Sequence, residues 1–258
     1  MLKRAHLALL AAAVSAPVML AAPASADCPG NPNALGVSRV VEIDTQGGPA
    51  FGFEHFKDHD FLKEKEVVLT FDDGPWPGNT PEVLKALASH CTKAIFFVIG
   101  QHSMWHPEIL RQVAEAGHTI GTHTFSHKDL SSRKLDEAHR KAEIEMGISA
   151  VRRGLGEKAD SLAAFIRFPA LRHPPEMMKY VGERNLAVWS TDIDSFDFKL
   201  KGSDKLVPSL MKKVEKHGKG IILMHDFQRN TAPSAAALLN QLHAKGLKLV
   251  QVKSKAPP

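Results

Sequence analysis

Apolar positions in this chain fall into short dense runs separated by amphipathic stretches. Val67-Val68-Leu69-Thr70 is such a run, compact enough to predict a strand buried on both faces. Ala94 to Ile99, closed by Gly100, predicts a second, and Thr119 to Thr122 a third. Further strands fit Ala163–Arg167, Leu186–Ser190, Gly220–Met224 and Leu247–Val252, and a short one with a turn fits Val40–Ile43 before Gly47-Gly48-Pro49. The stretches between them carry helical spacing. Thr80 followed by Pro81 predicts a capped helix start, with Val83, Leu84 and Leu87 on one face. Pro107 predicts another, with Ile109, Leu110 and Val113 inward and Gly117 ending it. A long helix is expected from about Lys134 to Arg153, and shorter ones over Pro175–Glu183, Leu206–Lys216 and Ser234–Ala244.

Strand and helix alternate regularly, which predicts an α/β fold with about seven parallel strands. An open doubly wound sheet and a barrel both satisfy that pattern. The first strand runs into Asp72-Asp73-Gly74-Pro75, which puts acids where a phosphate-binding loop puts amides, and a barrel is therefore expected. In both architectures chemistry collects at the C-terminal ends of strands. A motif gains weight when it falls there.

The ends of the chain read differently. Lys3 and Arg4 precede an apolar run from about Leu7 to Ala21, and Ala24-Ser25-Ala26 is a small-x-small cleavage pattern. These are the parts of a secretory signal peptide over 1–26, and the run is shorter than the roughly 20 residues that span a bilayer. The expected organisation is a lead-in with a short strand over 27–64, a catalytic domain over 65–252 and a frayed tail over 253–258. Secretion to the periplasm or the medium is expected, with no stable membrane insertion after cleavage, and a monomer. The net charge of +5 is mild and no basic stripe with interleaved aromatics occurs, so nucleic-acid binding has no support. Export permits a disulfide between Cys28 and Cys91, the chain's two cysteines; two separate thiols are the alternative.

Five clusters carry candidate chemistry. Asp72-Asp73 follows the Val67 strand, and paired carboxylates at a strand end are costly to bury without a cation. One can bind a metal while the other faces a reacting water. His123 and His127, four apart after the Thr119 strand, can converge with a carboxylate on one ion, as in an open catalytic site. His225 ends the Gly220 strand, where a general acid would sit, with Asp226 beside it as a rival functional group or a helix cap. Arg167 ends the Ala163 strand and can pair with a carboxylate. Asp192, Asp194 and Asp197 follow the Leu186 strand and can orient Arg167 and His225. Each cluster also has an ordinary reading: a solvated turn, a chance pair among 14 histidines, a core histidine, a surface arginine, a polar loop.

Taken together, Thr70-Phe71-Asp72-Asp73-Gly74-Pro75, His123-Thr124-Phe125-Ser126-His127 and Leu223-Met224-His225 resemble three motifs of the polysaccharide deacetylases, carbohydrate esterase family four, in the family's order. The resemblance runs from about Lys65 to Val252. It implies a distorted (β/α) barrel with about seven strands. It also implies a hydrolase that removes N-acetyl groups from glycans containing N-acetylglucosamine: peptidoglycan, chitooligosaccharide or exopolysaccharide. Asp73, His123 and His127 then correspond to the metal triad, usually for Zn²⁺, with Co²⁺, Ni²⁺ and Mn²⁺ as other candidates. Asp72 corresponds to the general base, His225 to the general acid, Arg167 to the residue that orients Asp72, and Asp194 and Asp197 to a motif with one member supporting Arg167. The chain departs from the family at Ala170 and Leu171, where an aromatic and a glycine are usual, and at Phe198, where Trp is usual. An O-acetyl esterase, a non-catalytic glycan-binding homologue and a non-haem iron oxygenase using the same two histidines and carboxylate are the competing readings.

Overall fold

Strand alternation decides which side chains reach the site. In a computed structural model, which describes residues 28–200 and 202–258, the Val67 run lies within a strand whose seven residues are all buried. Val67, Leu69 and Phe71 join the cluster packed under the helices, and Val68 joins a second cluster with Ile95, Phe97, Phe165 and Trp189. Successive side chains of a strand point to opposite faces, so Thr70 and Asp72 share the inner face with Val68. The expected signal peptide lies outside the described residues.

The order of elements is β1 (Arg39–Ile43), β2 (Ala50–Phe51), β3 (Glu66–Asp72), α1 (Asn79–Ser89), β4 (Ile95–Val98), α2 (Gly100–Trp105), α3 (Pro107–Glu115), β5 (Thr119–Thr122), α4 (Glu137–Leu155), β6 (Leu162–Ile166), α5 (Pro175–Glu183), β7 (Ala187–Trp189), β8 (Ile193–Asp194), α6 (Leu206–His217), β9 (Gly220–His225), α7 (Thr231–Ala244) and β10 (Lys248–Ser254). All strand pairings are parallel. Around the site the order is β8-β9-β3-β4-β5-β6-β7-β2, and β10 pairs with the start of β3 and carries β1.

This is the expected α/β architecture with more strands than expected: the sheet has 10, the additions including the two-residue β2 and β8. Strand hydrogen bonds among the described residues do not close the ring between β2 and β8. Asp192 spans that seam instead, its carboxylate accepting the amides of Phe53 at 2.5 Å and Ile221 at 2.6 Å. The lead-in is thus built into the sheet, β1 on β10 and β2 on β7. Val41 and Ile43 of β1 and Val250 and Val252 of β10 complete the inner cluster.

Helix starts differ from the sequence expectation at α1, α4 and α7, the last beginning at Thr231 rather than Ser234. At α1 the capping position is Gly78, and Thr80 lies buried inside the first turn, its hydroxyl accepting the Trp76 amide at 2.8 Å and donating to Asp226 at 2.6 Å. The long α4 begins at Glu137 because the Asp136 side chain accepts the His139 amide at the cap. No helix among the described residues is long and apolar enough to cross a membrane.

Cys28 and Cys91 are joined, with a Cα separation of 5.6 Å, closing a loop with a sequence separation of 63. Cross-linking a loop of that length removes much unfolded-chain entropy. Cys91→Ser is expected to lower the unfolding free energy by about 2–4 kcal/mol, read from urea unfolding as a lower midpoint with a larger m-value, because the denatured chain loses its cross-link.

Candidate active site

The side chains singled out in the sequence meet at the C-terminal ends of β3, β5, β6 and β9. Asp73 leaves β3 with a φ of 74°, a left-handed conformation uncommon outside glycine, which turns its carboxylate away from the direction Asp72 takes. His123 follows β5, and His127 also has a positive φ, 57°. The loop between them is clamped from α4. Glu143 accepts the Ser126 amide at 2.8 Å and its hydroxyl at 2.6 Å, and its own carbonyl takes the Phe125 amide at 2.9 Å. Burial disfavours the Glu143 carboxylate, but the bonds from Ser126 and the Lys128 ammonium hold its pKa below the usual range. α4 can approach this closely only because position 147 is Gly: a Cβ there would lie 2.7 Å from the Thr124 carbonyl carbon.

Asp73 Oδ1 is 3.6 Å from His123 Nε2 and 3.4 Å from His127 Nε2. The ligand atoms of the three residues lie within 4.8 Å of one another. That oxygen is buried and has no hydrogen-bond partner, a costly state for a carboxylate. An oxygen and two imidazole nitrogens converging on one point, with the carboxylate otherwise unsatisfied, fit a divalent cation. His123 is fixed through Nδ1, 2.7 Å from the Arg167 carbonyl oxygen, which leaves Nε2 toward Asp73. Burial lowers the His123 pKa, outweighing Asp72 and Asp73 nearby, and so favours the neutral ring a metal needs.

Asp72 has different partners. Arg167, completely buried, donates from Nη1 to Asp72 Oδ1 at 2.7 Å and to Thr70 Oγ at 2.8 Å. It also donates from Nη2 to the Ser190 carbonyl at 2.7 Å and packs its guanidinium 4.4 Å from the Phe97 ring centre. Arg167 is thus paired with Asp72, and no carboxylate of the Asp192–Asp197 segment is hydrogen-bonded to it. The carbonyls of Trp189 and Ser190 at the end of β7 and the Thr70 hydroxyl accept its remaining hydrogen bonds.

Asp197 serves His225. Its Oδ1 is 2.7 Å from His225 Nδ1, its Oδ2 accepts the His225 amide at 2.7 Å, and the Thr231 hydroxyl donates to the same oxygen. Burial alone would lower the His225 pKa. The hydrogen bond and charge of Asp197, with Asp72 and Asp73 nearby, outweigh it and push His225 up to about 9. Asp194 touches neither Arg167 nor His225 through a hydrogen bond: it accepts the Phe196 amide at 2.8 Å, and its carbonyl takes the Lys213 ammonium at 2.7 Å. Asp226 is neither a helix cap nor open to solvent. It lies buried under Gly74, where an added Cβ would meet its Oδ2 at 2.3 Å, and burial pushes its pKa up to about 7 against the bond from Thr80.

Sequence reasoning missed Ser190, Thr231 and His102. The first two act through a backbone carbonyl and a single hydroxyl and leave no pattern. His102, on α2, has its Nδ1 2.6 Å from the Asp73 carbonyl oxygen.

Fold and donor set together place the chain among α/β proteins with a candidate mononuclear metal centre at the C-terminal ends of parallel strands. The family profile described as Polysaccharide deacetylase matches residues 60–189. The chain belongs to the polysaccharide deacetylase family. It is 29% identical over 193 residues to the peptidoglycan-N-acetylglucosamine deacetylase of Bacillus cereus, covering 73% of this chain and 67% of that one. It is 30% identical over 200 residues to the chitooligosaccharide deacetylase of Sinorhizobium fredii, covering 70% and 86%. Among solved structures, the peptidoglycan deacetylase of Bdellovibrio bacteriovorus superposes with a TM-score of 0.77 at 27% identity, over 93% of this chain and 65% of that one. The profile match ends at β7, so the pairing of Asp197 with His225 rests on geometry.

Proposed function

We propose that this chain is a metal-dependent hydrolase that removes N-acetyl groups from N-acetylglucosamine-containing glycans. The observation that carries the reading is the orphaned Asp73 oxygen facing two imidazole nitrogens, with an arginine-held carboxylate and a carboxylate-held imidazole beside it. The names of the relatives in Bacillus cereus and Sinorhizobium fredii support peptidoglycan and chitooligosaccharide as the glycan classes. Residues 1–26 are proposed as a signal peptide and 65–252 as the catalytic domain, flanked by the 27–64 lead-in and the 253–258 tail. The mature protein acts as a secreted or periplasmic monomer.

Asp73, His123 and His127 would hold the ion, Zn²⁺ by its match to one oxygen and two nitrogen donors. When bound, such an ion lowers the pKa of a water and polarises a carbonyl. Asp72, aimed by Arg167, takes the proton of the attacking water. His225, protonated through Asp197, gives a proton to the departing sugar nitrogen, so the amide C–N bond breaks to acetate and amine. The peptide at Ala170, three residues past Arg167 and at a φ of 54°, would offer an amide to the developing oxyanion.

The mature protein, loaded with Zn²⁺, is expected to release acetate from acetylated chitooligosaccharide or peptidoglycan and to lose that activity on chelation. Acetate from acetylated xylan alone would convert the reading to an esterase; none from any acetylated glycan would end it. Turnover with Zn²⁺ under anaerobic conditions separates this chemistry from an iron oxygenase.

A further inference from the structure

β3 and β9 run side by side into the candidate site, and their last paired residues are Asp72 and His225. Beyond that pair the strands part. β3 turns at Asp73, and β9 passes into Asp226-Phe227 on the way to α7. The proposed reaction uses both exits at once, Asp73 toward the ion and His225 toward the leaving nitrogen. Their separation must be fixed where the hydrogen bonds of the sheet have ended.

Asp226 lies at that gap. It is 1% exposed, and its Oδ2 accepts the hydroxyl of the buried Thr80 at 2.6 Å. Thr80 Oγ in turn accepts the Trp76 amide at 2.8 Å, so the bonds run from the exit of β9 into the turn that follows Asp73. Gly74 is matched to this carboxylate. A Cβ there would stand 2.3 Å from Oδ2 and 2.5 Å from Oδ1, so a side chain at 74 would push Asp226 away from the backbone beside Asp73. Phe227 repeats the link one residue on: its carbonyl accepts Asn79 Nδ2 at 2.7 Å, and its ring meets Trp76 edge-on at 4.7 Å. The opposite side of the turn is tied to the end of β4, where the Phe97 carbonyl accepts the Asp73 amide at 3.2 Å and the Ile99 amide donates to the Gly74 carbonyl at 3.0 Å.

Packing alone does not account for an acid at this place. Asp226 Oδ1 is buried without a hydrogen-bond partner, and a half-satisfied buried carboxylate costs stability that an apolar side chain of its size would not. Nor is Asp226 one of the residues whose donor atoms converge, which are Asp73, His123 and His127. The carboxylate does supply a rigid bridge behind a metal ligand, the kind of contact that orients the ligand. We propose that Asp226 is a positioning residue, which through Thr80 and Gly74 locks the Asp73 turn to the exit of β9 and so holds the metal donor and the proton donor in register. This rests on the metal-dependent deacetylase reading above and adds a residue outside the reacting groups.

Two measurements test it together: the Zn²⁺ affinity of the metal-free protein, by competition with a chromophoric chelator, and kcat and KM for acetate release from an acetylated chitooligosaccharide. Asp226→Ala is expected to raise the Kd for Zn²⁺ and to lower kcat, each by about 10–100-fold, with KM unchanged. Asp226→Asn keeps the shape and an acceptor for Thr80 and is expected to restore most of both. Thr80→Val breaks the link from α1 and should shift both quantities the same way, whereas Thr80→Ser, which keeps the hydroxyl, should not. Urea unfolding reports the fold of each variant separately, and the Thr80 pair decides the matter if Asp226→Ala does not fold. Parental Zn²⁺ affinity in folded Asp226→Ala or Thr80→Val would overturn the inference, as would losses in the Asn and Ser variants equal to those in Ala and Val. A parent that binds Zn²⁺ but releases no acetate would end the deacetylase reading instead, and the affinity series would still decide the role of Asp226. A parent that takes up no divalent ion would end both.

Discussion

Replacing Asp72 with Asn is expected to lower turnover by about 10²–10⁴-fold while leaving metal uptake intact. The two adjacent aspartates differ in what they touch. Asp73 faces His123 and His127, and its nearer oxygen has no hydrogen-bond partner; Asp72 Oδ1 is held by Arg167 at 2.7 Å, and its Oδ2 lies 3.7 Å from His123 Nε2. An amide at position 72 keeps the shape and one acceptor for Arg167 but cannot take a proton from water. Arg167 retains the carbonyls of Trp189 and Ser190 and the Thr70 hydroxyl, so the variant should fold. Some stability is lost, because a buried cation without its counter-charge is costly. The measurement is paired: acetate release from an acetylated chitooligosaccharide, and bound metal by elemental analysis. Parental turnover in Asp72→Asn would refute the base assignment. Loss of metal from it would mean that the two carboxylates had been assigned the wrong way round. Asp73→Asn is the converse case and should lose the metal as well as the rate.

The frame and the core of the site are legible in the amino-acid sequence for one physical reason. A buried parallel strand is a dense apolar run, and the residue that leaves it faces the C-terminal end of the sheet. Asp72 and Asp73, His123, Arg167 and His225 all stand at such exits. What is illegible depends on contacts that leave no period. β2 and β8 have two residues each, too short to show alternation, and α2 reads Gly-Gln-His-Ser-Met-Trp without an apolar face. The three acids of the Asp192–Asp197 segment are chemically alike, and sequence alone offers them jointly to Arg167 and His225. In the fold each does something separate: Asp192 bridges the seam, Asp194 fixes Phe196, and Asp197 holds His225. Their separation depends on where β8 meets β9, at Ile193–Ile222 and Asp194–Leu223, a register that the sequence does not encode locally. Asp226 admits two readings by its position after His225; it caps no helix, and its burial under Gly74 is illegible because that contact joins positions far apart in sequence.

The second large effect belongs to Asp197. Asp197→Asn is expected to lower kcat by about 10²–10⁴-fold near pH 8 and to move the alkaline limb of the pH–rate profile to lower pH. The sign follows from which form of His225 the fold favours. Its pKa is raised to about 9 against the penalty of burial, chiefly by Asp197, so the imidazolium persists until the pH rises through that value. A general acid is competent only while protonated, and a bound divalent cation nearby opposes the rise, so the parental limb should lie at or below about pH 9. Asparagine removes the charge that holds the proton and leaves one acceptor oxygen where the carboxylate had two. The donors now satisfied by those two are the His225 ring, the His225 amide, the Thr231 hydroxyl and the Phe198 amide. Stability follows the same sign. A histidine with a raised folded pKa contributes fully below its unfolded value of about 6.5 and loses that contribution as the pH rises toward 9. The parent should therefore lose unfolding free energy over that window relative to Asp197→Asn. If the alkaline limb stays in place when Asp197 is replaced, His225 is not the proton donor, and the pairing of the two residues serves only the packing of β9 against α7.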